Sequence, residues 1–491
     1  MELVVVFVYM FFMIFILGYA IIQISLTVTY LRKRKKLMKQ ERSLSADDHR
    51  PFVTIQLPVF NEIYVVERLI ESIAAFNYPK DRFEIQVLDD STDESFEVAA
   101  KKVKEIKERG INIHHIQREK REGYKAGALK YGMEIAKGEF IAIFDADFIP
   151  DPEFLNKTLP WFDKEEIGVV QTRWEHINED YSLLTRLQAV GLDAHFSVEQ
   201  VGRNAGGHFI NFNGTAGIWR KSTISDAGGW QADTITEDLD LSYRAQVKGW
   251  KFIYLENLGS PSELPAEINA LKSQQFRWAK GAAECTRKNL GRVWKSANIS
   301  FKTKIFATFH LLNSFVFISI MALALLTLPI VYIYHNFPEH HDLFGIFPVF
   351  FLSIIFLAIY YFVSFSRNRK NKLWALIQFL FYFPVFLAVS MGLSLYNTIG
   401  VFEGFMGKKS PFVRTPKFNI KSNKDSWRGN KYSVKNISTL TILEGLMTIY
   451  FAFTVSVSLS LEDYASLPYF ISLAFGFGFV FLYSVIHSKR V

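Results

Sequence analysis

Apolar positions follow two regimes along the chain. At residues 3–30, 305–334, 347–365, 373–396, 440–459 and 467–485 they run almost unbroken, close to or beyond the ~20 residues that cross a hydrocarbon core. Between the first two runs they are rationed. Residues 52–57, 85–88, 111–116, 140–144 and 168–170 read as short buried strands, the first stopped by Pro58. Residues 65–75, with Val66, Leu69, Ile70 and Ile73, and residues 125–136 carry helical spacing. Strands alternating with helices predict an α/β unit, a mostly parallel sheet covered on both faces. In such sheets ligands gather beyond the carboxyl ends of the strands.

Charge orders the long runs. The first is followed by Arg32, Lys33, Arg34, Lys35 and Lys36 and has no Lys or Arg before it. That is the pattern of a membrane anchor with its C-terminal flank in the cytosol, not of a signal peptide. The division expected is residues 1–36 as a transmembrane helix with basic flank, 37–300 as a cytosolic catalytic unit inserted in an all-α transmembrane region, and 301–491 as a membrane region. The formal charge of +8 is concentrated in residues 401–436, where Lys408, Lys409, Arg414, Lys417, Lys421, Lys424, Arg428, Lys431 and Lys435 face only Glu403 and Asp425. A basic loop between apolar runs suits a lipid surface or phosphate groups and gives no reason to expect nucleic acid. Keeping it cytosolic leaves about four crossings in the C-terminal region, with residues 373–400 lying in the interface or dipping and returning at Pro384 and Gly392; a sixth full crossing is the alternative. The expectation is a multi-pass protein of the plasma (inner) membrane with catalytic unit and C-terminus in the cytosol, as the basic pair Lys489 and Arg490 also suggests. One cysteine, Cys285, excludes an intrachain disulfide and a Cys-rich zinc site.

Polar residues collect at the predicted strand ends: Asn61 and Glu62 after the first, Asp89, Asp90 and Ser91 after the second, Asp145 and Asp147 after the fourth. No G-x-G-x-x-G or Walker lysine loop is present, so a nucleotide would not be held on a glycine-rich turn. Asp145 and Asp147 flank one small residue at the end of a buried strand, where oxygen ligands suit Mg²⁺ or Mn²⁺ bridging to a diphosphate; a plain loop turn is the other reading. Thr236-Glu237-Asp238 opens a predicted helix, with Thr236 as N-cap and Asp240 structural. In the amphipathic stretch 266–287, Gln274, Arg277 and Trp278 share a helix face. An amide, a guanidinium and an indole suit sugar and phosphate, and they equally suit a helix anchored at lipid headgroups.

In this order, Asp89-Asp90-Ser91, Asp145-Ala146-Asp147, Thr236-Glu237-Asp238 and Gln274-Gln275-Phe276-Arg277-Trp278 resemble the inverting family-two glycosyltransferases of the cellulose synthase-like group. The stretches 122–129, 171–174, 212–217 and 262–265 are similar to mannan and glucomannan synthases. The resemblance implies a GT-A nucleotide-sugar transferase domain. It places Asn61, Glu62, Asp89, Asp90, Lys125, Asp145, Asp147 and Arg277 at a UDP- or GDP-hexose, with Asp145 and Asp147 on the metal. It makes Asp238 the general base and sets Gln274, Glu237 and Trp278 at the acceptor, a glycan or a lipid-linked sugar. Residues 412–417 resemble, less closely, a gating loop, with Thr415 and Lys417 as its working residues.

These residue types suit a single displacement at an anomeric carbon. One carboxylate deprotonates the acceptor hydroxyl, and cations offset the departing diphosphate. A second catalytic acid, as glycoside hydrolases need, is unnecessary with so good a leaving group. Three functions are compatible: a processive synthase passing a β-linked polysaccharide across the membrane, a transferase adding one sugar to a lipid, and an inactive transport or scaffold subunit. The complete carboxylate set argues against the third.

Overall fold

The computed structural model describes residues 1–44, 49–410, 413–422, 424–432 and 438–489. Phe412, Lys435 and Arg490, named above, lie outside them. Seven strands, β1 (Val53–Val59), β2 (Phe83–Asp89), β3 (Ile113–Ile116), β4 (Phe140–Ile143), β5 (Ile167–His176), β6 (Gly217–Arg220) and β7 (Lys251–Ser262), form one sheet in the order β3-β2-β1-β4-β6-β5-β7. β6 runs antiparallel to both β4 and β5; the other pairs are parallel. The sheet is therefore mixed, and β6 and β7 were not anticipated: Gly217–Arg220 is too short to show a period, and β7 is broken by a bulge opposite Thr172 and Arg173.

Alternation along β4 shows why both faces are covered. Phe140, Ala142 and Phe144 enter one core with Ile55, Leu69 and Phe154, while Ile141 and Ile143 enter the other with Leu129, Trp219 and Leu241. Pro58 does not end β1 as expected. Thr54, Gln56 and Pro58 face β4, whose pairing stops at Gln56 and Ile143, so the missing N–H of Pro58 falls where no partner strand remains.

Six helices or helical stretches are long and apolar enough to cross a membrane, Glu2–Met38, Phe301–Asn336, Pro338–Phe365, Lys372–Gly392, Thr439–Ser460 and Leu467–Ser488, which marks a membrane protein. Pro384 does not break Lys372–Gly392; the helix continues through it and a second helix, Ser394–Met406, begins after Leu393. Around this segment the chain keeps touching the α/β unit. Arg367 lies 3.3 Å from Glu256 of β7, Arg186 donates to the Tyr382 hydroxyl at 2.7 Å, and Leu393 packs with Leu184 and Ile268.

The helix Ile268–Lys295 joins the two regions. Glu267 caps it, accepting from the amides of Asn269 and Ala270 at 3.0 and 3.2 Å. Its Lys272 makes a buried ion pair with Glu444 at 2.8 Å, which ties it to the helix Thr439–Ser460.

Candidate active site

The site lies beyond the carboxyl ends of β1, β2 and β4, where the carboxylates form two groups. The first surrounds Asp145. Lys125, on the helix Tyr124–Ile135, reaches Asp145 Oδ1 and donates to the Gly214 carbonyl at 2.9 Å. Burial works against the charge of Lys125, but Asp145, Glu237 and Asp238 outweigh it and hold its pKa up. Glu237 and Asp238 open the helix Glu237–Val247. Burial lifts both carboxyls above the usual range, Lys125 opposes it, and Asp145 adds to the rise in both, as Asp238 does for Glu237. A carboxylate raised in this way is a stronger base at neutral pH.

Backbone approach matters at two glycines here. Gly214 has φ +76°, and a Cβ on it would stand 2.9 Å from Asp238 Oδ2. A Cβ on Gly281 would meet Thr236 at 2.4 Å, so a glycine lets the helix Ile268–Lys295 pass directly behind the Thr236-Glu237-Asp238 turn. Thr236 occupies the N-cap position without capping, which corrects the expectation: its hydroxyl lies 3.4 Å from the buried Cys285 sulfur. Asp240 is structural, bonded to Arg244, Lys288 and Asn289 at 2.9, 3.0 and 2.9 Å.

The second group surrounds Asp147, which is 5% exposed. Its Oδ2 accepts from Lys417 Nζ at 2.8 Å and from the Glu263 amide at 3.1 Å. Glu62 pairs with Arg414, and burial pushes the Glu62 carboxyl up to about 7 despite that cation. The segment carrying Arg414 and Lys417 is held in turn by Glu263, whose two carboxylate oxygens accept the amides of Phe418 and Asn419 at 2.9 and 2.8 Å. Part of the basic loop thus lies over the sheet edge, 270 residues after Asp147 in the chain.

Arg277 links the two groups: it donates to Thr415 Oγ1 and feels Asp145 and Glu237. Burial brings its pKa down to about 10 while those carboxylates pull the other way. Trp278 stands edge-on to Trp174, ring centroids 6.1 Å apart, and Trp174 packs on Phe148 and Phe196. Gln274 is buried on the same helix.

Asp89 and Asp90 belong to neither group. Asp89 is turned inward to His115 at 2.8 Å and to the Ser91 amide at 2.8 Å. Asp90 is held by Arg118, with Arg121 at 3.9 Å. Asn61, at φ +55°, accepts from the Thr92 amide and donates its own amide to Ser91, which joins the β1 and β2 ends. Sequence reading missed Arg118, Glu263, Arg414 and Gly214 as parts of the site. Arg118 sits among other charged residues with nothing local to single it out, and Arg414 appeared only as one cation of the basic loop and within the gating-like stretch 412–417. Gly214 and Glu263 appeared only inside stretches of family likeness.

Among the described residues no three His, Cys, Asp or Glu gather as a cage for an ion. That suits Mg²⁺-like binding, in which one or two carboxylates share the metal with substrate phosphates. Lys125 takes Oδ1 of Asp145 and Lys417 takes Oδ2 of Asp147, which leaves one oxygen of each for such a cation.

The chain matches the family model "Glycosyl transferase family 2" over residues 54–224 and "Glycosyl transferase family group 2" over residues 140–397. The second match covers more than half of the chain, which belongs to glycosyl transferase family group 2. Among its relatives, the probable glucomannan 4-beta-mannosyltransferase 4 of Oryza sativa subsp. japonica is 44% identical over 282 residues, 56% of this chain and 51% of the relative. The glucomannan 4-beta-mannosyltransferase 9 of Arabidopsis thaliana is 40% identical over 303 residues, 60% and 56% of the two chains. The chain thus spans about half the length of the curated relatives it matches. Among solved structures, the mannosyltransferase PcManGT from Pyrobaculum calidifontis, in complex with GDP-Man and Mn²⁺, superposes with TM-score 0.52 at 16% identity over 81% of this chain and 100% of its own. The likeness establishes a GT-A fold, and the kinship read from the motifs holds at the level of the family.

Proposed function

We propose that this protein is an inverting hexosyltransferase that extends a β-linked glycan of the mannan or glucomannan type and passes it through the membrane. The observation that carries this reading is the placement of Asp238 against Gly214, in the field of Lys125 and Asp145, with the helix bearing Arg277 and Trp278 packed directly behind it.

Asp238 takes the proton of the acceptor hydroxyl, the freed oxygen attacks the anomeric carbon, and the bond to the nucleoside diphosphate breaks from the opposite face. An α-linked donor gives a β-linkage. Arg277, Lys417 and Arg414 face the charge that develops on the diphosphate, and Lys125 stays beside Asp145. A divalent cation, Mg²⁺ or Mn²⁺, held by Asp145 and Asp147, would neutralise the leaving phosphates. The names of the relatives favour a mannosyl donor, and the GDP-Man in the structural neighbour favours guanine as its base. Trp278 receives the acceptor sugar by stacking, which tolerates a growing chain. Segment 413–419 acts as the gate over the donor, with Thr415 and Lys417 in reach of Arg277 and Asp147.

In the same reading the α/β unit and the C-terminus are cytosolic and Lys372–Gly392 lies along the membrane interface without crossing. Contacts to the α/β unit on both sides of that helix, at Arg367 and from Lys417 to Lys431, support it. A cysteine replacing Lys421 should then resist an impermeant reagent in intact cells, and one at His341 should react; labelling at 421 would contradict the topology.

The test of function is Asp238→Asn in the full chain. Transfer should disappear while GDP and UDP binding stays within a few fold. Equal loss of both would assign Asp238 to the metal or to structure.

A further inference from the structure

Lys280 has no role in the chemistry above, yet its side chain is fully buried. It stands two residues after Trp278 and three after Arg277, so it shares a helix face with Arg277. Its ammonium donates to Glu403 Oε2 at 3.0 Å and to Ser410 Oγ at 2.7 Å. These two acceptors lie on either side of Gly407, where the helix Ser394–Met406 ends in a left-handed residue, φ +72°. Lys408 closes the other oxygen of the same carboxylate, 2.7 Å from Glu403 Oε1.

The two helices run side by side in the same direction. Lys272 lies over the Tyr396 ring, a Cβ on Gly400 would meet the Phe276 carbonyl at 3.0 Å, and one on Gly404 would meet the Lys280 carbonyl at 2.5 Å. Each step of four on one helix meets a step of four on the other, so the pair has a fixed register up to Gly407. Five residues beyond Ser410 the chain reaches Thr415, which Arg277 holds.

We infer that Lys280 is a positioning residue in a two-residue clamp: Lys280 holds the chain at Glu403 and Ser410 and Arg277 holds it at Thr415, so that these points on either side of the gate's root move only with the helix that carries both cations. Lys280 fixes the turn before the gate and Arg277 fixes the gate itself, one helical turn apart. Burying a lysine charge is unfavourable unless it is fully bonded. Glu403 stays beside Lys280 through the helix pairing, and the bond to Ser410 is made only while the turn is docked, so Lys280 is fully bonded in the docked state. The consequence is that gate position and the Trp278 platform are coupled: displacement of one displaces the other.

This inference rests on the gating role proposed for Lys417, and the experiment separates the two. Binding of GDP and of UDP, each with Mn²⁺, is measured on the full chain in detergent for Lys280→Met, Lys280→Arg, Lys417→Ala and the double variant. Lys280→Met should weaken nucleotide binding roughly tenfold, Lys280→Arg should restore most of it, and the double variant should be no weaker than Lys417→Ala alone. Ser410→Ala, a milder cut in the same contact, should weaken binding in the same direction by a smaller factor, and it serves if Lys280→Met protein is not recovered. Losses that multiply in the double variant, or wild-type binding by Lys280→Met and Ser410→Ala alongside weakened Lys417→Ala, would overturn the clamp alone. Wild-type binding by Lys417→Ala would remove the gating reading and the clamp with it.

Discussion

The two halves of the site are built differently. Its anionic half, Glu62, Asp145, Asp147 and the Glu237-Asp238 pair, stands on strand ends and a helix start of one α/β unit, each a few residues from a buried apolar anchor. Its cationic half comes from elsewhere: Arg277 from the helix that joins the two regions, Arg414 and Lys417 from a segment without regular secondary structure between the helices Ser394–Met406 and Thr439–Ser460. The first half is fixed by the sheet. The second is held by the ion pairs of Arg414 and Lys417 and by two backbone amides, Phe418 and Asn419, bonded to the Glu263 carboxylate. Under the function proposed above, the carboxylate frame would stay in place while the segment bearing Arg414 and Lys417 closes on a nucleotide sugar and reopens after each transfer.

The sharpest break of this comparison is at the frame. Asp238→Asn should cost at least the 10²–10⁴-fold typical of a general base in kcat. Asp147→Ala, or removal of divalent metal by EDTA, should abolish activity through loss of metal-dependent nucleotide binding; survival of activity in EDTA would contradict the metal site. In the cationic half, Trp278→Ala should lose polymer but retain some hydrolysis of the nucleotide sugar, because the donor side is intact and water can replace the acceptor. Unchanged product length from well-inserted protein would contradict the acceptor role.

Smaller effects sharpen the frame. Gly214→Ala asks for a side chain at φ +76° and 2.9 Å from the base, and should lower kcat while leaving KM for the donor nearly unchanged, as a steady-state comparison would show. The raised pKa of Asp238 fixes a sign as well. Its folded-state carboxyl holds its proton more tightly than in the unfolded chain, so its contribution to stability is full below the unfolded pKa and is lost as pH rises through the folded one. Asp238→Asn should therefore raise the melting temperature of the ligand-free protein at neutral pH, with the gain shrinking toward pH 4. For activity the same shift moves the acid limb of kcat above the ordinary carboxylate range.

The same division explains what could be read without a structure. Strand ends are legible because the apolar run Phe140–Phe144 and the mostly apolar residues 85–88 lead directly into acids, and a sheet dictates what lies at its carboxyl edge. The helical face of Arg277 and Trp278 follows from period alone. Antiparallel β6 was illegible because four residues carry no period and its place between β4 and β5 is set by pairing. Arg414 was legible as one of many cations and as a member of the gating-like stretch 412–417, but nothing in the sequence pointed to Glu62 as its partner. Its choice of Glu62 depends on the Glu263 carboxylate gripping the chain at Phe418 and Asn419, a contact across more than 150 residues.

The central claim, a base on a rigid carboxylate frame making a β-linked polymer from a nucleotide sugar, is tested most directly by product analysis. Purified full-length protein in lipid vesicles would be incubated with Mn²⁺ and a panel of labelled GDP- and UDP-hexoses, and the product sized and its linkages determined. The expected result is a β-linked polymer from one donor, GDP-mannose first among them, that vanishes with Asp238→Asn. A single sugar on lipid, an α-linkage, or polymer from the Asp238→Asn protein would contradict it.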